Sequence, residues 1–247
     1  MKISVVTVVF NGARTIRETI ESVLSQDYPD VEYIVVDGNS TDGTQGIIKL
    51  YSDRVSKFVS EKDRGIYDAM NKGIELATGD VVGLLNADDL FASRDVLSQV
   101  AAAFQDHRVD AVYGDLRYFD GNPDRVTRNW RAGTYRAGLF LWGWMPPHPT
   151  FFIRRHWYQE FGGFRLDMGT SADYELMLRM IHKFNAKLSY VQKVLVFMRT
   201  GGVSNLSLKN RLDANQNDRR AWNVNQIKPF PMTVMLKPFR KILQFIH

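Results

Sequence analysis

The sequence has no cysteine among its 247 residues. The absence of thiols excludes disulfide bonds, thiolate zinc sites and a cysteine nucleophile, and it leaves the cellular compartment undecided. No stretch approaches the roughly 18 apolar residues of a membrane-spanning helix. The N-terminus carries one charge before a strand-like run that stops at Asn11-Gly12, so it lacks the length and the cleavage site of a secretory signal. We therefore expect a cytoplasmic protein.

Two common phosphate-binding motifs are also missing. Gly38 and Gly43 have the spacing of a Walker loop, but Thr44 and Gln45 follow where Lys and Ser or Thr are required. No Gly-x-Gly-x-x-Gly pattern occurs in this loop either. The loop is therefore neither an ATPase signature nor a dinucleotide-binding signature.

Short apolar runs alternate with helical patterns in the first part of the chain. A content of 45% hydrophobic and 12% aromatic residues suits one large domain, or a domain with a sizeable appendage. Strands are predicted at 3–10, 32–36, 57–60 and 81–85, and helices at 16–24, at 44–51 and in a short segment before the fourth strand. This alternation predicts right-handed crossovers and a parallel sheet.

Polar residues follow the ends of these strands, where parallel sheets bind ligands. The fourth strand runs into Asn86, Asp88 and Asp89, a cluster of hard oxygen atoms that suits Mg²⁺ or Mn²⁺ carrying a phosphate. A solvated loop that caps the next helix is the alternative. Asp37, at the end of the second strand, could accept hydrogen bonds from a ribose or from the N–H of a base. Between these strands, residues 61–73 mix charge, glycine and asparagine, and Asp63, Arg64 and Asn71 could face the same crevice.

Later segments predict further elements. A helix should begin with Ser93 as its N-cap, and two strands should meet across Gly114-Asp115. A last strand is expected at 194–198 and a polar helix at 206–222.

The second half of the chain is aromatic and basic. Trp142 and Trp144 could pack against the C–H faces of a sugar, or they could form a hydrophobic core under a long loop. His148 lies between prolines, which suits either a metal or phosphate contact or a structural hydrogen bond. Ser171 is expected to cap a helix with Asp173 in its first turn, where an acid usually complements the helix dipole.

Several motifs in a fixed order carry a family resemblance. They are Thr-Val-Val-Phe-Asn at 7–11, Val-Asp-Gly-Asn-Ser-Thr-Asp-Gly-Thr at 36–44, Asp-Arg-Gly-Ile-Tyr-Asp-Ala-Met-Asn-Lys-Gly at 63–73, Ala-Thr-Gly-Asp at 77–80 and Leu-Asn-Ala-Asp-Asp at 85–89. Together they resemble the nucleotide-binding half of family 2 glycosyltransferases, closely so from residue 2 to about 114. The resemblance implies an α/β GT-A fold: a mostly parallel, Rossmann-like sheet flanked by helices, with a helical C-terminal extension.

The resemblance also implies a division of the chain and a set of roles. Residues 1–204 would form the GT-A domain, with a nucleotide-sugar-binding half at 1–120 and an acceptor-binding, catalytic half at 121–204, followed by a basic helical extension at 205–247. The family's Asp-x-Asp motif falls on 86–88, and because Asn86 replaces an acid there, the metal is assigned chiefly to Asp88 and Asp89, with His148 as a further candidate. The expected donor-binding residues are Val9, Asn11, Asp37, Asp63, Arg64, Asn71, Asn86 and Asp88, and the expected acceptor-binding residues are Trp142 and Trp144.

The catalytic base of the family matches Asp173, although the acid that precedes it in the motif is Ala172 here. The expected reaction is an inverting transfer from a nucleoside-diphosphate sugar, most plausibly UDP-linked, to a glycan or lipid-linked acceptor, with Mn²⁺ or Mg²⁺ as cofactor and no nucleic acid partner. A nucleotidyltransferase of related topology and a non-catalytic module that binds an anionic surface are the alternatives.

The C-terminal part of the chain is basic. From residue 200 onward, eight basic residues stand against Asp213 and Asp218. Residues 239, 242, 243 and 246 are apolar at helical spacing, which fits a helix lying on an anionic membrane. Packing on the domain or on a second subunit is the alternative. Peripheral contact with the inner face of the cell membrane therefore remains open.

Overall fold

The structure is a computed structural model that describes residues 1–201, 208–230 and 233. Its first part alternates strands and helices: β1 (Ile3–Val9), α1 (Ile16–Leu24), β2 (Val31–Asp37), α2 (Thr44–Lys49), β3 (Lys57–Ser60), α3 (Ile66–Leu76) and β4 (Val81–Leu84). Each of these elements was predicted, with bounds that differ by a few residues at most.

The second part is less regular. It contains β5 (Leu90–Phe91), α4 (Val96–Ala103), β6 (Ala111–Asp120), β7 (Asn122–Trp130), β8 (Phe152–Arg154), α5 (Arg155–Phe161), α6 (Ala172–Met177), β9 (Leu188–Arg199) and α7 (Leu208–Val224). Short 3-10 helices connect several of them, and one turn of π-helix at Leu178–Lys183 extends α6.

One mixed sheet joins these strands in the order β3-β2-β1-β4-β8-β6-β9-β5, with β7 paired to β6. The strands from β3 to β4 are parallel, as predicted. The second part adds antiparallel pairs, since β8 runs opposite to both β4 and β6. The GT-A prediction is confirmed, but the sheet is mixed rather than mostly parallel: β6 also pairs with β9 in parallel, whereas β5, β7 and β8 run antiparallel to their neighbours.

Both faces of the sheet are covered. On β1, Val6 and Val8 join the core on one side, while Val5 and Val9 join the core on the other. Burial on both faces explains why β1, β2 and β4 lack the polar alternation of a half-exposed strand.

Two predicted details are wrong. The helix predicted to begin at Ser93 starts after Asp95, and the Ser93 hydroxyl bonds the Asp95 carboxylate 2.5 Å away. The two strands predicted to meet at Gly114-Asp115 are one strand, β6, whose register with β9 shifts at that point. A Cβ on Gly114 would lie 2.5 Å from Leu195, so glycine permits a close approach of backbone and side chain inside a continuous strand.

The described part of the C-terminal extension packs on the domain. Ala221 and Trp222 of α7 are buried, and the Trp222 indole donates to the Tyr174 hydroxyl at 2.9 Å. The amphipathic segment predicted at 239–246 lies outside the described residues. Within the described part of the chain, every helix is too short or too polar to cross a bilayer.

Candidate active site

The carboxyl ends of the first three strands lie side by side, because Val9 pairs with Asp37 and Asp37 pairs with Ser60. The Val9 carbonyl accepts a hydrogen bond from Gly38 at 2.8 Å, and its side chain is buried. Val9 therefore supports the loop, and because its side chain is buried, the donor contact expected of Val9 would have to come from its backbone.

Asp37 is 0% exposed, and both of its oxygens are used. One accepts from the Ser40 amide at 3.0 Å and from the Ser60 hydroxyl at 2.6 Å, and the other accepts from the Ser40 hydroxyl. Direct contact with a nucleotide base, as the resemblance implied, is closed to Asp37 in this arrangement. Its carboxylate instead fixes the 37–44 loop to β3.

Asn11 plays a similar part in the neighbouring loop. It adopts a positive φ of 50°, its amide donates to the Ser40 hydroxyl at 2.7 Å, and its side-chain oxygen accepts from the Thr41 amide at 3.0 Å. These bonds lock two strand-end loops together. Phe10, just before it, is 66% exposed, and a Cβ on Gly38 would lie 3.3 Å from the Phe10 ring and 2.5 Å from Asp63 Oδ2.

The exposed ring of Phe10 and the Asp63 carboxylate thus meet above Gly38. The sequence analysis did not select Phe10, although an aromatic residue at the carboxyl end of a predicted strand was a usable signal. Asp63 Oδ1 accepts from the Gly65 amide at 2.8 Å. Arg64 is mostly exposed, and its guanidinium lies 2.9 Å from Asp68.

Asn71 does not face this crevice with a free amide. Its Nδ2 donates to the Phe164 carbonyl at 2.9 Å, and its Oδ1 accepts from the Phe164 amide at 2.7 Å. Gly163 passes so close that a Cβ there would lie 2.3 Å from Asn71 Oδ1. The donor-binding role predicted for Asn71 is therefore wrong for its amide, which joins α3 to the Gly162–Phe164 turn.

The acids after β4 form a different environment. Asp89 is 0% exposed, and its Oδ2 accepts from Asn86 Nδ2 at 3.2 Å. Asp89 Oδ1 and Asn86 Oδ1 are buried, and neither makes a hydrogen bond of good geometry with the described residues, although the nearby Arg199 backbone N–H lowers the pKa of Asp89. Burial raises the pKa of Asp89 well above its usual range, and the adjacent Asp88 charge raises it further. Burial also raises the pKa of Asp88, which is partly exposed.

Arg199 supplies a positive charge near these acids. Its charge lowers the pKa of both Asp88 and Asp89 and so opposes the effect of burial. It ends β9, and its guanidinium bonds Glu18 at 2.7 Å and the Gly121 carbonyl at 3.1 Å. The last strand was predicted to stop at residue 198, one residue before Arg199, so the prediction did not include this residue in the strand.

Two orphaned buried oxygens beside a partly exposed carboxylate fit a hard divalent cation. Asn86, Asp88 and Asp89 are the residues that could hold it. His148 does not join them: among the described residues, no three His, Asp or Glu side chains assemble as a metal-binding group. Burial lowers the pKa of His148, while the nearby Asp173 carboxylate opposes this shift. The structure therefore places His148 beside the expected base.

Asp173 lies in the first turn of α6, as predicted, and is half-buried. Its Oδ1 accepts from the Tyr174 amide at 2.8 Å and lies 3.5 Å from the Tyr67 hydroxyl. Burial raises the pKa of Tyr118, and the charges of Asp89 and Asp173 both add to this rise. Tyr118 on β6 is therefore close enough to Asp89 and to Asp173 for both charges to affect its pKa.

The other acids near Asp173 are already paired. Asp167 bonds Arg165 and Arg220 at the surface. Glu175 is buried against Arg179 at 2.9 Å and Asn225 at 3.0 Å. Asp173 is thus the acid of this segment without a cationic partner among the hydrogen bonds and ion pairs of the described residues.

The two candidate acceptor residues separate. Trp144 is 4% exposed, its indole donates to the Ala132 carbonyl at 2.8 Å, and its ring packs against Tyr113, Tyr135 and Phe140. The acceptor role predicted for Trp144 is wrong, because no face of the ring is open. Trp142 is 57% exposed, with its ring 6.2 Å from that of Phe230.

Known proteins resemble the chain in both sequence and fold. The model of Glycosyl transferase family 2 matches residues 4–168. A PGL/p-HBAD biosynthesis glycosyltransferase of Mycobacterium bovis is 30% identical over 207 residues, which are 82% of this chain and 78% of that protein.

Two solved structures share the fold. S. aureus TarS 1–349 in complex with UDP-GlcNAc has a TM-score of 0.73 and 18% identity, over 96% of this chain and 69% of that one. The mannosyltransferase PcManGT from Pyrobaculum calidifontis, in complex with GDP-Man and Mn²⁺, has a TM-score of 0.67 and 22% identity, over 95% and 68%. The family match covers the strands and loops that place Asp37, Asp63 and Asp88, and with the 30% identical relative it shows that the chain belongs to glycosyl transferase family 2.

Proposed function

We propose that this protein is an inverting glycosyltransferase that moves a sugar from a UDP-linked sugar to a hydroxyl of a glycan or lipid-linked oligosaccharide. The observation that carries the proposal is the nearness of Tyr118 to both groups of acids. Burial raises the pKa of Tyr118, and the charges of Asp89 and Asp173 both add to this rise. One group is suited to a diphosphate with its cation, and the other to an acceptor hydroxyl.

The donor nucleotide lies at the carboxyl ends of β1, β2 and β3 in this proposal. Phe10 offers an exposed ring on which a base can stack, and Asp63 lies beside it. Arg64 is exposed enough to reach a phosphate. Asp37 and Asn11 contribute indirectly, because their hydrogen bonds hold the loops that form this edge.

Asn86, Asp88 and Asp89 would hold Mn²⁺ or Mg²⁺. When bound, the cation would stabilise the negative charge that develops on the departing diphosphate. Asp89 is buried, and it orients Asn86 by accepting a hydrogen bond from Asn86 Nδ2. Arg199 contributes a positive charge to the same region.

Asp173 acts on the acceptor. Its carboxylate takes the proton from the acceptor hydroxyl as that oxygen forms a bond with the anomeric carbon. The bond from the anomeric carbon to the diphosphate oxygen breaks in the same displacement, and its electron pair leaves with the nucleoside diphosphate. One displacement inverts the anomeric configuration. Trp142, exposed beside Phe230, is the aromatic surface we assign to the acceptor.

The substrate classes come from the relatives. One relative acts in PGL/p-HBAD biosynthesis, and the two solved neighbours bind UDP-GlcNAc and GDP-Man. We place the protein in the synthesis of a cell-surface polysaccharide or a related glycan. The basic residues near the C-terminus provide peripheral contact with the inner face of the cell membrane.

Calorimetric titration of UDP, GDP and dTDP, each with and without Mn²⁺, tests the donor half of the proposal. We expect UDP to bind more tightly than GDP and dTDP, and its affinity to rise when Mn²⁺ is present. Equal, metal-independent affinities for all three would contradict the proposed donor and metal site. No observation favours the nucleotidyltransferase or the non-catalytic module, and the family match argues against both.

A further inference from the structure

Tyr67 lies in the first turn of α3, within the 63–73 motif from which Asp63, Arg64 and Asn71 were assigned to the donor. Its hydroxyl lies 3.3 Å from the Thr170 carbonyl and 3.5 Å from Asp173 Oδ1. We propose that Tyr67 is a positioning residue, whose hydroxyl orients the Asp173 carboxylate toward the acceptor. This inference rests on the proposed function, in which Asp173 is the base.

The ring of Tyr67 is held in place from one side. Its centroid lies 5.3 Å from that of Phe164, and the Phe164 ring lies 5.5 Å from that of His148. Packing on Phe164 limits the rotation of the Tyr67 ring and keeps its hydroxyl close to the start of α6. The hydroxyl therefore meets Asp173 without a search through many rotamers.

A second contact fixes the same helix. Asn71, one turn after Tyr67, makes two hydrogen bonds to the Phe164 backbone at 2.7 and 2.9 Å. Residues four apart share one face of a helix, so Tyr67 and Asn71 hold the segment from Phe164 to Asp173 at two points. Neither contact alone would fix the direction of this segment relative to α3.

In this pair the Tyr67 hydroxyl donates a hydrogen bond and the Asp173 carboxylate accepts it. Burial raises the pKa of Tyr67 well above its usual value, and the charge of Asp173 adds to this rise. The phenol therefore stays protonated and can donate to the carboxylate across the working pH range. A hydrogen bond to a carboxylate is stronger than one between neutral groups, which suits a positioning contact.

The same helix also begins at the proposed donor loop. Asp63 accepts from the Gly65 amide just before α3, and Asp68 in its first turn bonds Arg64. One rigid element thus carries the donor loop at its start and the support of Asp173 on its side. This arrangement sets the position of Asp173 relative to the donor.

The test is a double-mutant cycle of Tyr67→Phe and Asp173→Asn. Turnover is measured as nucleotide release from a panel that includes UDP-GlcNAc and GDP-mannose, with nucleotide Kd and Tm measured in parallel. We expect Tyr67→Phe to lower kcat about ten- to a hundredfold, with Kd and Tm nearly unchanged. In the Asp173→Asn background, Tyr67→Phe should lower the residual rate no further, because both residues act through one group.

Tyr190→Phe is the matched control. Its hydroxyl also donates to a carboxylate, Asp115 Oδ1 at 2.7 Å, but its pKa shows no influence of Asp173. Tyr190→Phe should keep kcat within about twofold. A kcat for Tyr67→Phe equal to that of Tyr190→Phe would overturn the inference. So would a fully additive loss in the Asp173→Asn background.

The catalytic role of Asp173 and the positioning role of Tyr67 predict different results for the two variants. If Asp173→Asn keeps wild-type turnover, the base assignment in the proposed function is wrong. If Asp173→Asn is inactive while Tyr67→Phe is fully active, only the positioning role is wrong.

A crystal structure of Tyr67→Phe gives a readout that needs no turnover. The Asp173 carboxylate should have moved from its wild-type position, and an unmoved carboxylate contradicts the inference. Asp218→Asn checks the other acid whose charge reaches Tyr67, and a loss in that variant equal to that of Tyr67→Phe would assign the effect to α7 instead.

Discussion

Asp37 is the last residue of β2, and Asp89 lies in the loop that follows β4, at the same edge of the sheet. Both residues are 0% exposed. Asp37 ends with both oxygens bonded, by Ser40 and Ser60. One oxygen of Asp89 accepts a hydrogen bond from Asn86, and the other makes none of good geometry with the described residues, although the Arg199 backbone N–H is near enough to lower the Asp89 pKa. Burial is therefore the same, and the hydrogen bonding is different.

This difference separates two kinds of acid in the molecule. Glu32, Asp37 and Glu175 have their oxygens bonded by neighbouring donors, so their charge is used within the fold. Asp88, Asp89 and Asp173 have no cationic partner in a hydrogen bond or ion pair of the described residues. An acid with unused acceptor capacity can bind a cation or take a proton, and a saturated acid stabilises the protein. The two kinds should respond to substitution in opposite ways.

The largest effect should come from Asp173→Asn. A base that acts in the transition state contributes on the order of 10²–10⁴ in rate, and asparagine keeps its size while losing proton affinity. We expect kcat to fall by about that factor with the nucleotide Kd and Tm nearly unchanged, as measured by nucleotide release and calorimetry. Asp167→Asn is the control, because Arg165 and Arg220 already neutralise that acid. Loss of activity in Asp167→Asn with retention in Asp173→Asn would move the base elsewhere.

Asp89→Ala should remove the metal-dependent part of nucleotide binding without loss of stability. Burial and the Asp88 charge both raise the pKa of Asp89, which means that its charged form is unfavourable in the fold. Because the substitution deletes this carboxylate, the Tm should stay equal or increase. The gain in UDP or GDP affinity on adding Mn²⁺ should disappear, as measured by calorimetry in Mn²⁺ and in EDTA. Equal nucleotide affinity for wild type and variant in excess Mn²⁺ would remove Asp89 from the metal site.

Much of the nucleotide-binding half was predictable from the sequence. Its strands are buried on both faces and end at turn residues, so local patterns specify their limits. Positions at strand ends were also predictable. Asp37, Asp63 and Asp88 lie at one edge because they follow the carboxyl ends of parallel strands. The use of each side chain was not predictable. Whether an acid has all its oxygens hydrogen-bonded depends on distant residues. For Asp37 one of the donors is Ser60, 23 residues away in the sequence.

The second half was harder because its contacts are long-range. The pairing of Asn71 with Phe164 joins residues 93 apart, and no local pattern shows it. Trp142 and Trp144 are two residues apart in the sequence, yet one is exposed and the other lies in the core. Only the packing of Tyr113, Tyr135 and Phe140 around Trp144 decides between them.

Asp37→Ala should show the opposite behaviour to Asp89→Ala. It leaves the amide and hydroxyl of Ser40 and the hydroxyl of Ser60 without their acceptor in a buried place. We expect a loss of about 2–4 kcal/mol in the free energy of unfolding, measured with urea. Nucleotide affinity should fall only as far as the 37–44 loop loosens, and its Mn²⁺ dependence should persist. A stable Asp37→Ala protein would break the distinction between saturated and unsaturated acids.

The smallest effect concerns Glu32, a saturated acid far along the strand from the site. Burial raises its pKa, but hydrogen bonds from Ser4, Thr78 and Lys57 lower the pKa to about 2, from 4.5. A carboxyl whose folded pKa is depressed adds stability that is fully present above pH 4.5 and is lost as the pH falls toward 2. We expect Glu32→Gln to cost about 1–3 kcal/mol at pH 7. Because the variant lacks this titration, its urea stability should fall less steeply than that of wild type between pH 4.5 and 2. Parallel stability curves for the two proteins over this range would mean that Glu32 titrates alike in the folded and unfolded states. The hydrogen bonds around it would then not lower its pKa, and saturation would be a poor guide to which acids support the fold.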